Sequence, residues 1–239
     1  MTSDHSQDRV LPGFAWLFNK YFDPDAPVAV CGFTSPTAPL PGNFSFYSLG
    51  AFQDYPANKW SDAFRKVLVN VADEHFILLL DDYFLLRQVD TQAVRILWDY
   101  ARQFRYVLKI DLAVDRLYAD PGRHLYGYNN YGSVAYLDLI HSPPGSNYQL
   151  SLWGGIWNRD LLMPFVIPGE TAQQLELNGT GRVNQAGSAV VVLGTRQAPL
   201  IHGNLLQSGR PGEIVLDTGG WRLAAGDEVE MTRLGVMPV

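Results

Sequence analysis

The sequence predicts an α/β fold, and three observations carry that prediction. Short continuous apolar runs, VAVCGF at residues 28–33, FILLL at 76–80 and YVLKIDL at 106–112, read as strands buried on both faces. Segments with helical spacing alternate with them. Apolar residues make up 47% of 239 residues and aromatics 13%, enough to bury a large core. Strand, helix, strand, helix, strand with buried strands predicts a mixed but mostly parallel sheet flanked by helices.

Residues 11–22 place apolar side chains at 11, 14, 17, 18 and 21, a helical pattern that tolerates Pro12 in a first turn. Asp23-Pro24-Asp25 breaks it, and 28–33 is the first strand. After a Pro-rich loop, residues 43–48 alternate like a second strand. Residues 59–74 form an amphipathic helix with Trp60, Phe64, Val67, Leu68 and Val71 on one face. The run 76–80 stops at Asp81-Asp82. Residues 91–104 are a helix with Val94, Leu97, Trp98 and Ala101 inward, and Asp90 is placed to cap it. Beyond residue 115 the chain becomes loop- and β-rich. Strands are expected at 133–139, 148–152, 190–193 and 200–206, a short helix at 158–163, one or two helical turns at 170–177, and a hairpin at 221–234. There is no internal repeat. A single domain, 1–239, is expected, with a first half at 24–115 and a second half with C-terminal decoration at 116–239.

Composition excludes several classes. Eighteen Lys and Arg against 24 Asp and Glu give a net charge of −6, which argues against binding nucleic acid by bulk charge. The single cysteine, Cys31, excludes a disulfide scaffold and a Cys-rich zinc site, and suits a reducing cytosol. No apolar run reaches the ~18 residues that span a bilayer, and the polar, acidic start is unlike a signal peptide. The expectation is a cytoplasmic protein without a membrane span. The motifs GxGxxG, GxxxxGK[ST], GxSxG and HExxH are absent, and the five histidines keep no metal-ligand spacing.

Three features carry candidate chemistry. Ligands of open α/β sheets bind beyond the carboxyl ends of strands, where Asp81 and Asp82 are delivered. Adjacent carboxylates there need a divalent cation, hydrogen-bond donors or water. The plainer alternative is one capping and one solvated Asp. Trp153, Gly154, Gly155 and Trp157 offer flat indole faces and close backbone approach, suited to a sugar ring or a base; the alternative is a core turn anchored by two tryptophans. Glu176, nineteen residues after Trp157, is a candidate general base, against the alternative of a solvated helix-surface acid. Glu170 reads instead as an acid complementing a helix start. Arg123, Arg159 and Arg182 are weaker candidates for meeting a diphosphate, and Asn178-Gly-Thr-Gly181 reads as a lone glycine turn.

The segment LLLDDYFL resembles the acidic, DXD-like strand end of GT-A nucleotide-sugar glycosyltransferases, and stands twenty residues after the Asp54–Ser61 segment. Downstream, YQLSLWGGIWNRDLL followed by Glu176 is similar to the acceptor half of small bacterial and phage glycosyltransferase-like proteins. The resemblance covers residues 27–180. It implies a GT-A-like fold in which Asp82 and Asp81 hold Mn²⁺ or Mg²⁺ and the diphosphate of a nucleoside diphosphate sugar. It further implies that Phe33 and Thr34 touch base or ribose, that Asp54 and Lys59 belong to the donor site, that Trp153, Gly154 and Trp157 carry the acceptor, and that Glu176 takes the acceptor proton in an inverting transfer. The chain departs from the pattern in two places: the Asp pair lacks the DXD spacer, and Thr-Ala-Gln-Gln stands where relatives favour an aromatic before the Glu. The implied acceptor is a polysaccharide or glycolipid, or a hydroxymethylated pyrimidine in phage DNA reached by a basic strip of Arg102, Arg105, Lys109, Arg116 and Arg123; the setting is a bacterial or phage-infected cytoplasm. The alternative of another class is a non-catalytic carbohydrate-binding or virion structural protein. A nucleotidyltransferase is disfavoured because the first loop is not rich in glycine and lysine.

Overall fold

The computed structural model describes residues 7–117, 127–207, 214–217 and 222–237. Along the chain run α1 (Gln7–Tyr21), β1 (Val28–Gly32), β2 (Phe44–Ser48), α2 (Trp60–Asn70), β3 (His75–Leu78), β4 (Tyr83–Leu85), α3 (Thr91–Gln103), β5 (Val107–Asp111), β6 (Asn129–Val134), β7 (Leu137–His141), β8 (Gly155–Asn158), α4 (Arg159–Leu162), α5 (Ala172–Ala186), β9 (Val191–Thr195), β10 (His202–Gln207), β11 (Ile214–Asp217) and α6 (Ala225–Arg233). The α/β class holds. Two compact units form: one from Met1–Phe52, Leu80–Val89 and Leu200–Val239, the other from Gln53–Leu79 and Asp90–Pro199. Residues 24–115 and 116–239 each contribute to both.

The first unit is built on α1. Leu11, Phe14, Leu17 and Phe18 recur at helical spacing and are buried. Phe18 stacks on Phe22 at 5.0 Å and meets Phe44 of β2 edge-on at 5.6 Å. Strands β1 and β2 pair in parallel, with Val28 opposite Phe44. Only Val30 and Gly32 of β1 are buried, so the expectation of a doubly buried first strand fails: a two-stranded pair leaves its strands one open side. Strands β4, β10 and β11 form a separate antiparallel sheet. The hairpin expected at 221–234 is replaced over its described part by α6, which buries Asp227 and Met231 four residues apart, a helical rather than an alternating period. Trp221 lies outside the described residues.

The second unit carries a six-stranded sheet in the order β3-β8-β5-β9-β7-β6. Among these pairings only β5 with β9 is parallel, so the expected mostly parallel sheet is overturned. The reason is β8 and the β6–β7 hairpin. The sequence suggests one strand at 133–139, but the chain reverses at Ala135, whose φ of 51° makes the tight turn between β6 and β7. Strand β6 lies at the sheet's edge, almost wholly exposed, and its register shifts between Asn130 and Gly132. The strand expected at 148–152 is irregular, because side chains take its backbone groups. Leu150 N–H donates to Thr180 Oγ1, Ser151 O accepts from Lys109, and Leu152 N–H donates to Glu176. The chain enters the sheet only at Gly155, as β8.

The direction of each strand, rather than its pairing, decides where strand ends gather. Strands β3 and β5 both run against β8, and β9 runs with β5, so β3, β5 and β9 share one direction. Leu78, Gly155 and Asp111 lie level across the sheet, so β3 and β5 end together. Every residue of β5 and β8 is buried, whereas β3 is an edge strand with Phe76, Ile77 and Leu78 half-buried. The expectation that the run at 76–80 is buried on both faces therefore fails.

Helix α3 packs on β5 and β8 through Ala93, Val94, Leu97 and Ala101, and Asp90 caps it by accepting from Ala93 N–H at 2.9 Å. Helix α5 is far longer than the one or two turns expected. Thr171 and Gln174 form a capping box, and the glycines at 179 and 181 are helical rather than a turn.

Two glycines make room for large buried side chains. A Cβ at Gly155 would lie 2.8 Å from Lys109 Cε and 2.9 Å from the Ile110 carbonyl oxygen. One at Gly194 would lie 2.6 Å from Arg116 Cβ. Gly194→Ala is expected to cost about 1–3 kcal/mol in urea unfolding, because Arg116 Cβ sits too near its own backbone to move aside.

Candidate active site

Strand β5 places a lysine in the middle of the sheet. A buried ammonium is costly unless paired. Lys109 has no exposed side-chain surface and forms an ion pair with Asp111, two residues on and therefore on the same face. Its Nζ also donates to Ser151 O at 2.8 Å and to Ser151 Oγ at 3.2 Å. It lies 4.7 Å from the centre of the Trp157 ring, its cross-strand neighbour. After β5 a 3₁₀ turn, Val114–Leu117, returns Arg116 to the cluster. Its Nε donates to Asp111 Oδ2 at 2.8 Å, and Nη1 to Ser142 Oγ at 2.8 Å and Gln149 Oε1 at 3.1 Å. Nη2 donates to Tyr148 O at 2.8 Å and Asp115 Oδ2 at 3.4 Å. The Ser151 hydroxyl donates to Asp115.

Glu176 meets this cluster from α5. Its Oε1 accepts from Leu152 N–H at 2.7 Å, and its other oxygen makes no hydrogen bond among the described residues. Burial pushes the carboxyl above its ordinary range; the Leu152 amide and Lys109 pull it down, and Asp115 adds to the rise. Burial likewise pushes Asp111 up, against the pull of Lys109 and Arg116. Two cations thus face three carboxylates. Asp111 touches both cations and Asp115 has Arg116, whereas Glu176 has one donor, a neutral amide.

The residues predicted from sequence fare unequally. Trp157 is fully buried in β8 beneath the Lys109 ammonium, so its assignment to an acceptor surface is corrected: it is core. Gly154 is buried, and its carbonyl accepts from Leu112 N–H at 3.0 Å. Trp153 is half-buried and follows directly on the Leu152 amide that holds Glu176. Asp54 and Lys59 are exposed, at the ends of two short 3₁₀ turns in the same unit.

Phe33, Thr34, Asp81 and Asp82 belong to the other unit. Phe33 packs edge-on against Phe52 at 5.4 Å, and Thr34 is exposed. That unit has a cleft of about 240 Å³ walled by Leu11, Trp16, Asn19, Pro36 and Pro39 among others, and none of these four residues lines it. Strand β3 ends at Leu78, so Asp81 and Asp82 stand in a turn leading into β4 rather than at the end of an interior strand, which corrects that expectation. Asp82 is pushed up to about 6, chiefly by burial and then by the Asp81 charge, and its Oδ1 is buried without a hydrogen-bond partner. No group of three or more His, Cys, Asp or Glu able to hold a metal occurs among the described residues. Two carboxylates with an unsatisfied oxygen still fit Mg²⁺, which keeps several waters and takes one or two carboxylates plus phosphate oxygens.

The arginines proposed for a diphosphate serve the fold. Arg159 holds the Val71 and Ala72 carbonyls, and Arg182 clamps Glu170 through two nitrogens at 2.8 and 2.7 Å. Arg123 lies outside the described residues. The basic strip is likewise corrected: Lys109 and Arg116 are buried in the ion cluster, and only Arg102 and Arg105 of its described members are exposed. Sequence reasoning missed Lys109, Asp111, Asp115, Arg116 and Ser151 as one unit. The signal was present in YVLKIDL, where two opposite charges two residues apart interrupt an apolar strand on one face.

The chain matches no protein-family model, no curated protein and no solved structure. No helix among the described residues is long and apolar enough to cross a membrane.

The Asp82 environment makes a stability prediction. A carboxyl whose folded value is raised keeps its proton in the folded state while the unfolded chain has lost it. Stability therefore falls as pH rises from about 4 to about 6 and stays lowered above. Asp82→Asn should remove that slope, gaining about 1–3 kcal/mol at pH 7 and almost nothing at pH 3.5 in metal-free urea titrations.

Proposed function

We propose that this chain is a nucleotide-sugar glycosyltransferase of GT-A-like architecture, in which Glu176 takes the proton from an acceptor hydroxyl as that oxygen attacks the anomeric carbon. The observation that carries the reading is the Glu176 carboxylate itself. It is largely buried, its proton affinity is raised, one oxygen is fixed by an amide and the other is uncommitted. A general base near neutral pH needs those properties. Further support comes from β3, β5 and β9, which run the same way, with β3 and β5 ending at one sheet edge, where α/β enzymes place their chemistry.

The reaction is a single displacement. The acceptor oxygen bonds to the anomeric carbon, the bond from that carbon to the donor phosphate oxygen breaks, the electron pair leaves with the nucleoside diphosphate, and the proton passes to Glu176. The configuration inverts. Trp153, half-buried beside the Glu176–Leu152 contact, offers the remaining aromatic face for the acceptor sugar. Asp82 and Asp81 lie in the other unit, and it is the sequence resemblance that assigns them to Mg²⁺ or Mn²⁺ and the donor diphosphate, whose charge such an ion would neutralise. Burial of Lys109 and Arg116 favours a polysaccharide or glycolipid acceptor over DNA, because the strip needed to track phosphates is spent inside the fold.

One observation favours the second reading, a non-catalytic carbohydrate-binding or virion structural protein. Tyr106, Tyr131 and Tyr136 are exposed on the second unit, and Tyr131 bonds Tyr106 through their hydroxyls at 3.3 Å. A thermal-shift panel of UDP-, GDP-, CMP- and dTDP-sugars with and without Mn²⁺ separates the two, since ligand at ~100 times its dissociation constant adds about 2.7 kcal/mol. In a transfer assay with the donor so identified, Glu176→Gln is expected to lose ~10²–10⁴-fold in kcat with donor binding kept. Asp82→Asn should weaken donor binding as well. Full activity in both variants overturns the assignment, and silence across the panel favours the binding module.

A further inference from the structure

The peptide unit joining Ser151 to Leu152 is held at both ends by charged side chains. Its carbonyl oxygen accepts from Lys109 Nζ at 2.8 Å, and its N–H donates to Glu176 Oε1 at 2.7 Å. Carbonyl and N–H belong to one planar group, so the ammonium and the carboxylate lie at opposite poles of a single amide dipole. We infer that Lys109 is a positioning residue for Glu176, acting through the Ser151–Leu152 peptide. This rests on the reading of Glu176 as the base.

An ammonium on the carbonyl oxygen draws electron density toward it and makes the N–H a stronger donor, and such polarisation is effective where water is excluded. A stronger donor favours the ionised carboxylate and pins Oε1, which leaves the second oxygen to face an incoming hydroxyl. Lys109 thereby counters the burial that raises Glu176, without touching it. The charged groups facing Glu176 are Lys109 from β5 and Asp115 from the turn after it. Asp111 and Arg116 lie behind them, bound to each other. On α5 itself Arg182 is occupied by Glu170. The peptide is free to act in this way because residues 148–152 stay out of the sheet, so no neighbouring strand competes for its carbonyl or its N–H.

The relay is read by NMR, whether or not transfer activity is found. In the native chain, titration should move the Glu176 carboxyl carbon, the Leu152 amide proton and the Lys109 side-chain nitrogen with one common midpoint. Glu176→Gln should flatten the Lys109 response at that midpoint. Lys109→Met should raise the Glu176 midpoint by about one pH unit and move the Leu152 amide proton upfield. Where transfer is measurable, the acidic limb of its pH profile should rise by the same amount, with the donor KM unchanged. A Lys109 nitrogen that ignores Glu176 ionisation in the native chain overturns the inference, even if Lys109→Met does not fold. So does a Glu176 midpoint unmoved in a folded Lys109→Met. Absence of any sugar transfer would defeat the proposed function, leaving the common midpoint to judge the relay alone.

Discussion

A lysine buried at the centre of a β-sheet sets terms that much of the second unit meets. Lys109 stands on the interior strand β5, with the Trp157 ring on one side and Asp111 as its counter-ion. Removing one partner of such a pair typically costs about 3–5 kcal/mol, because the other charge is then stranded. Asp111 is shared with Arg116, whose guanidinium then needs Ser142, Gln149 and the Tyr148 carbonyl. Gly155 and Gly194 are required because these side chains fill the space a Cβ would use. The loop at 148–152 avoids the sheet because its backbone groups are already claimed. One unusual residue thus accounts for two glycines, an irregular segment and a satisfied guanidinium.

Different partners separate the two glutamates near the start of α5. Glu170 is held well below its ordinary range, first by its hydrogen bonds from Arg182, and its oxygens are fully engaged with Arg182 and Asn178. Glu176 has a single amide donor and a raised proton affinity. The two acids sit six residues apart on one stretch of chain. The first is a structural anion, and the second is free to exchange a proton.

How much of the molecule was legible in the sequence depends on whether the cause is local. Helices α1, α2 and α3 were readable because apolar spacing and an Asp cap are local signals, and β2, β5, β9 and β10 fall within a few residues of their expected places. Strand pairing was not readable. The run at 76–80 is as apolar as an interior strand, yet among the described residues β3 lies at an edge, and its sequence does not record that it pairs there with β8 alone. The reversal at Ala135 was hidden because the turn uses a non-glycine residue at positive φ. Glycines at 179 and 181 suggested a turn, whereas a capping box at Thr171 and Gln174 starts a helix that runs through them. In the candidate site, Glu176 was singled out as an acid following the aromatic segment, which is a local signal. The cluster around it was not, since Lys109, Arg116 and Ser151 come from three segments that only folding brings together.

The register shift in β6 has a bearing beyond the sheet it interrupts. An outermost strand with open amide and carbonyl groups invites pairing with other chains, and Asn129–Val134 lacks the lysines or prolines that often discourage it. A misplaced residue between Asn130 and Gly132 breaks the even ladder that an incoming strand would need to match. In a concentrated solution this small irregularity works as a guard against filament growth.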